Sequence, residues 1–192
     1  MEDKKNLKVE PFDTEVLREY DIRGIVNKNL NANTAYTLGR TFGSIVFNKT
    51  KEKKICVGYD GRLSSPDLHD SLCQGLVDSG NSVISIGICP TPMLYYSIYN
   101  QNADAGVMVT GSHNPPEYNG FKMVMNERPF YSNNIYKLQT LVSKNKFQKG
   151  GSNKSINILD DYVDRILQNI HFNKKLKVAW DPGNGSVGIT IR

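Results

Sequence analysis

The chain has no run approaching the ~20 consecutive apolar residues of a membrane-spanning helix. Its first residues, Met1-Glu-Asp-Lys-Lys-Asn, lack the basic-then-apolar order of a secretory signal. Cysteine is sparse. Cys56, Cys73 and Cys89 form an odd set without a Cys-x-x-Cys pair, which argues against a disulfide framework and a thiolate zinc site. Cys56 lies in an apolar strand pattern and Cys73 on an apolar helical face, so both read as buried, reduced thiols. A reducing, cytoplasmic location is the expectation from these absences. No second histidine stands at ligand spacing from His113, which argues against a histidine metal centre there. Internal repeats are also missing.

What is present fits a globular protein: 39% hydrophobic and 22% charged residues in a length of 192. That length accommodates one full domain and part of another. The net charge of +5 is unevenly spread. Much of the excess lies at Lys144, Lys146, Lys149 and Lys154, in a Gly/Ser/Asn-rich stretch with no acid. A nucleic-acid tether would want aromatics for stacking, and Phe147 is the one aromatic there, so a solvated linker is the better reading. Neither a nucleic-acid nor a membrane partner is expected.

Strand and helix patterns alternate through the first ~145 residues, as in an α/β layer structure. The periodicity predicts a helix over 34–47 with Asn33 as its cap, and a strand over 54–59. A helix opens at Ser65-Pro66, a strand covers 83–88, and a helix starts at Pro92. Strands at 105–109 and 121–125 follow, then a helix over 134–142. Beyond a linker at 144–155, a helix around 158–170 and a strand at 176–180 lead into the turn Asp181-Pro-Gly-Asn-Gly185. The expected division is a first domain at 1–143, the linker, and the incomplete beginning of a second α/β domain at 156–192.

Thr110-Gly-Ser-His-Asn-Pro-Pro-Glu-Tyr-Asn-Gly-Phe-Lys122 follows the apolar strand Ala105–Val109. Gly111, Asn114, Pro115 and Pro116 can continue neither strand nor helix. Ser112 therefore sits on a turn at the carboxyl end of a strand, where ligand chemistry in α/β sheets concentrates. His113, Asn114 and Lys122 are placed to neutralise an anion on its oxygen. For Ser-His-Asn alone, a solvated turn is the competing reading. Two further strings stand out. Arg18-Glu-Tyr-Asp-Ile-Arg-Gly24 reads equally well as a charged sheet edge or as a ligand-facing segment. Val57-Gly-Tyr-Asp-Gly-Arg-Leu-Ser-Ser-Pro66 runs from a strand into a helix start, with Ser64 and Ser65 as candidate caps.

The thirteen-residue serine string resembles the phosphoserine loop of the α-D-phosphohexomutases, most closely the bacterial phosphomannomutase/phosphoglucomutase branch. Arg18–Gly24 is similar to the segment with which that family begins, and Asp181–Gly185 to the opening of its second domain. The resemblance implies a mixed β-sheet sandwiched between helices, followed by a truncated second α/β domain. It implies that Ser112 carries a phosphoryl group exchanged between the 1- and 6-positions of a hexose phosphate through a hexose 1,6-bisphosphate. Lys122 becomes the acid/base candidate, Arg23 an oxyanion clamp, and His113 a partner of the serine phosphate. Tyr20, Arg23 and Lys122 become substrate contacts, with Asn114 and Arg62 supporting them from behind. In the family, Mg²⁺ meets the phosphoserine oxygen and is held by an Asp-Gly-Asp-x-Asp-Arg loop. Asp160, Asp161 and Asp164 do not form that pattern. The competing expectation is an inactive truncated or split-gene product, a binding module at most, whose partner is a separately encoded carboxyl-terminal portion.

Overall fold

A computed structural model describes residues 6–144, 150–171, 174–183 and 185–191. Its frame is a mixed sheet of seven strands, ordered β1-β5-β4-β2-β3-β7 with β6 added beside β5. The strands are β1 (Ile22–Ile25), β2 (Lys54–Tyr59), β3 (Ser82–Ile88), β4 (Ala105–Val109), β5 (Tyr118–Met125), β6 (Arg128–Pro129) and β7 (Ser152–Ser155). The helices are α1 (Ala32–Lys49), α2 (Ser65–Val77), α3 (Thr91–Asn100), α4 (Asn133–Lys144) and α5 (Leu159–Leu167). β2, β3, β4 and β7 run parallel, while β5 lies antiparallel to both β4 and β1. The expectation of an α/β sandwich holds.

Two cores lie on opposite faces of the sheet, which makes three layers. On one face Leu38 and Phe42 of α1, Leu72 and Leu76 of α2 and Ile135 of α4 pack against Ile55, Val57, Val107 and Phe121. On the other, Met93, Leu94 and Ile98 of α3 meet Cys56, Ile84 and Met108, with Tyr162 of α5 at the margin. Successive residues of β2 alternate between these cores, as the two-residue period of a strand demands. β4 is buried along its whole length because both faces are covered, hence its unbroken apolar sequence. The two largest helices cross at Gly39 and Gly75, where a Cβ on either would strike the other helix's backbone.

The structure corrects several expectations. α1 begins at Ala32, capped by Asn31 in a reciprocal capping box with Thr34; Asn33 lies inside the helix. Residues 152–155, assigned to the linker from composition, form β7 and pair in parallel with β3. Lys154 is in that strand; Lys146 and Lys149, with the side chain of Lys144, lie outside the described residues. Ile158 is buried in the second core, and Leu159 and Tyr162 of the helix that follows pack against it. Residues 175–180 form no strand, and Trp180 is 68% exposed. The sheet-edge reading of Arg18–Gly24 is right for its second half, since β1 is the terminal strand of the order. No helix of the described residues is long and apolar enough to cross a membrane.

Candidate functional site

β2 and β4 are adjacent and parallel, and both end at the same edge of the sheet, at Tyr59 and Val109. The segments leaving these ends meet at once. Asp60 donates its backbone N–H to the carbonyl of Val109, and Thr110 donates to that of Gly120. The Asp60 carboxylate then gathers the surrounding donors. Its Oδ1 accepts from the Ser65 hydroxyl at 2.6 Å and the Arg62 amide at 3.1 Å. Its Oδ2 accepts from the Thr110 hydroxyl at 2.9 Å and the Gly111 amide at 3.0 Å, with Arg62 Nε at 3.3 Å. With its side chain only 15% exposed, Asp60 is a fixed acceptor around which both loops are built.

Ser112 sits above this hub, exposed to solvent. Its φ of +53° is left-handed, a region that costs a non-glycine residue on the order of 1–2 kcal/mol. Two bonds hold it there: its amide donates to Thr110 Oγ1, and its carbonyl accepts from Arg62 Nη2. The Ser112 hydroxyl lies 3.3 Å from Nδ1 of His113, whose ring is also exposed. Arg62 spreads its guanidinium beneath the loop and binds four of its carbonyls: Ser112, Asn114, Pro115 and Tyr118. Gly111 is required for this, because a Cβ there would collide with the guanidinium.

A cavity of about 460 Å³ opens in front of the serine, lined by Ser112, Asn114, Arg62, Asp60, Met108 and Thr91 among others. Gly183, Gly185 and Ser186 line it too, so the carboxyl-terminal turn lies against the serine loop, with Ile189 on the second core. Asn184 of that turn lies outside the described residues. A second depression, about 480 Å³, brings Arg23 and Arg18 to Asn114, Pro115 and Tyr118. Arg23 is already engaged. One Nη donates to the Gly111 carbonyl at 2.6 Å and the other pairs with Asp21 at 2.7 Å.

Ser112, His113, Asn114, Arg62 and Arg23 are thus brought together. Lys122 is not in direct contact with them. It lies on β5 opposite Met108, on the α3 face, and has no ion-pair or hydrogen-bond partner among the described residues. Tyr20 is 70% exposed and stacks on Tyr131, lining neither cavity. Ser64 and Ser65 make no side-chain cap on α2. Both accept from the Asn119 amide, and Ser65 also serves Asp60.

Sequence reasoning assigned no role to Asp60, Thr110 and Asn119. The available signal was Asp60 at the end of an apolar strand, one glycine ahead of an arginine. For the expected Mg²⁺ the local donors do not fit. Asp60 is the one carboxylate lining the serine cavity among the described residues, and its oxygens are filled by hydrogen bonds. Among the described residues no cluster of three or more His, Cys, Asp or Glu side chains could hold a metal.

The sequence pattern of phosphoglucomutase/phosphomannomutase alpha/beta/alpha domain I matches residues 14–149. The chain belongs to that family. It is 44% identical over 175 residues to a phosphomannomutase/phosphoglucomutase of Pseudomonas aeruginosa, covering 91% of this chain and 38% of that protein. It is 41% identical over 180 residues to a phosphoglucomutase of Neisseria gonorrhoeae, with the same coverages. Among solved structures, a phosphoglucomutase/phosphomannomutase family protein of Burkholderia thailandensis superposes with a TM-score of 0.80 at 35% identity, over 85% of this chain and 37% of that one. The chain thus spans well under half the length of the relatives it matches, and its phosphohexomutase resemblance covers nearly all of it.

Proposed function

We propose that this chain is the phosphoryl-carrying part of a phosphohexomutase. The observation that carries the reading is Ser112: exposed, held left-handed, and fixed over a cavity by Asp60 and Arg62. Six other non-glycine residues among those described share a left-handed φ, but Ser112 combines it with exposure, a cavity and a loop held by Asp60 and Arg62, the pattern of a residue positioned for chemistry. The names of the relatives supply the substrate class, hexose phosphates.

In the forward step a free hydroxyl of the hexose phosphate attacks phosphorus on phosphorylated Ser112. The new O–P bond forms as the bond to Ser112 Oγ breaks, and the hydroxyl proton, taken up by Lys122, ends on the departing Ser112 oxygen. The hexose 1,6-bisphosphate then turns over and returns its other phosphoryl group to Ser112. Charge neutralisation and positioning dominate such a transfer. His113 and Asn114 flank the serine, and Arg23 with Arg18 offers positive charge at the adjoining depression. Tyr20 is a substrate contact only if substrate or a further domain turns it from Tyr131. The Mg²⁺ carboxylates and the distal phosphate site would come from outside these residues, from a separately encoded or covalently continuous portion. The isolated 192-residue chain is therefore expected to show no mutase turnover, since losing a charge-neutralising metal costs orders of magnitude in rate. The cytoplasm, where hexose phosphates are handled, is the proposed location.

A coupled mutase assay on the chain alone and mixed with the complementing portion of a relative tests this. The mixture should turn over and the chain alone should not. Ser112→Ala should abolish activity, and Lys122→Met should slow it while phosphate on residue 112 remains detectable by mass spectrometry. Phosphate found on Ser64 or Ser65 instead would remove Ser112 from its role.

A further inference from the structure

The serine loop presents an unusual arrangement of dipoles. Four of its carbonyl oxygens converge on one side chain: Arg62 Nη1 reaches Pro115 at 2.7 Å and Tyr118 at 2.9 Å, and Nη2 reaches Asn114 at 2.6 Å and Ser112 at 3.1 Å. Asp60 anchors the remaining Nε at 3.3 Å. The Arg62 side chain is 15% exposed, and the carbonyls it binds turn their negative ends toward it, beneath the loop. Ser112 itself is exposed to solvent, at the mouth of the cavity it shares with Arg62 and Asp60. Of the amides around it, Gly111 is claimed by Asp60 and Ser112 by Thr110, while the His113 amide has no acceptor among the described residues. A loop with its carbonyls turned under and a free N–H beside the serine offers an anion there one backbone donor and few competing lone pairs.

We propose that Arg62, anchored by Asp60, is a positioning residue that makes position 112 an anion site, by turning the loop carbonyls away from the serine oxygen. A phosphoryl group on Ser112 then meets an N–H and the residual positive charge of the guanidinium rather than carbonyl lone pairs. The fork matters more than the charge: a lysine ammonium carries the same charge but cannot span four carbonyls in fixed directions. The inference rests on the reading of Ser112 as the phosphoryl carrier, but its test needs no phosphoryl transfer.

Ser112→Cys converts the site into its own probe, because a thiolate at 112 reports how well an anion is held there. The three native cysteines are silent. All are buried, with thiols pushed up by desolvation, to about 11 for Cys56 and about 12 for Cys89. The pH dependence of iodoacetamide labelling, read by mass spectrometry, gives the thiol midpoint. We expect it below the free-cysteine value of about 8.5. Adding Arg62→Lys should raise it by roughly one unit. A midpoint at or above the free value in Ser112→Cys, or one that Arg62→Lys leaves in place, overturns the proposal. The number of labelled thiols reports folding: one in the native chain, four where the core has opened. If Arg62→Lys opens the core, Gly111→Ala decides, since its Cβ displaces the guanidinium while leaving it in the chain. A raised midpoint there supports the proposal and an unchanged one refutes it. Absence of phosphoserine at 112 in an active complemented enzyme would instead remove the proposed function, and leaves the thiol result standing.

Discussion

At Ser112 stability and chemistry pull apart. A left-handed φ is free for glycine and costs any other residue, yet serine occupies the position. Ser112→Gly should therefore raise the unfolding free energy by up to about 1 kcal/mol, while Ser112→Ala should not, because alanine keeps the strain. Urea denaturation of both variants checks this, and a destabilised Ser112→Gly would mean that the conformation is not strained. His69 gives a second residue-scale prediction. It is buried on α2, with Nδ1 2.8 Å from Asp70 and Nε2 2.9 Å from the Ser85 hydroxyl on β3. Cys73 and the ring of Tyr59 complete its surroundings. Desolvation lowers its pKa, and Asp70 only partly opposes this. A lowered folded value means that the unfolded chain takes up a proton more readily. Stability should thus fall as pH drops below the ordinary imidazole value of about 6.5. His69→Gln should flatten the change between pH 7 and pH 5, and an equally steep loss in that variant would place the cause elsewhere.

Secondary-structure elements were most legible where local pattern and tertiary demand agree. The strands at 54–59 and 105–109 fall where apolar runs bounded by turn residues put them. β7 was not legible because Ser152-Asn-Lys-Ser has no apolar residue. Its place comes from backbone bonds to β3 and from Gly151, where a Cβ would strike the Asn81 and Val77 carbonyls. The strand expected at 176–180 failed for the converse reason: Leu176, Val178 and Trp180 alternate correctly, but no strand among the described residues pairs with them. The site divided along similar lines. The serine loop was readable as a string, whereas Asp60 and Asn119 act through contacts more than 50 residues away in sequence. The linker assignment suggests cutting the chain at Ser143, but β7 and Ile158 argue against that boundary. Burial of Ile158 alone contributes about 2 kcal/mol, and its removal also uncovers Ile84 and Ile86. A chain ending at Ser143 should be less stable and less soluble than one ending at His171. Equal denaturation midpoints would show that β7 and α5 add nothing.

For the whole molecule, one stretch of exposed apolar residues runs from the end of α5 to Trp180. Ile166, Leu167, Ile170, Leu176, Val178 and Trp180 are all more than 40% exposed, in contrast to the sealed cores on either side of the sheet. An apolar surface of this extent is what an interacting partner covers. The same segment then turns back, so that Gly183, Gly185 and Ser186 line the cavity in front of Ser112. A partner that covered the apolar stretch would thereby lie beside the serine. Trp180 is the sole tryptophan and lies within that stretch, which makes it a specific reporter. In the isolated chain its emission should lie close to that of free tryptophan and be freely quenched by iodide. Adding the complementing portion of a relative should shift the emission to the blue and protect it, in step with the appearance of mutase turnover. A blue-shifted, protected signal from the chain alone would show that the segment packs on the first core or on a second copy. Turnover appearing with no change at Trp180 would show that the complement docks elsewhere.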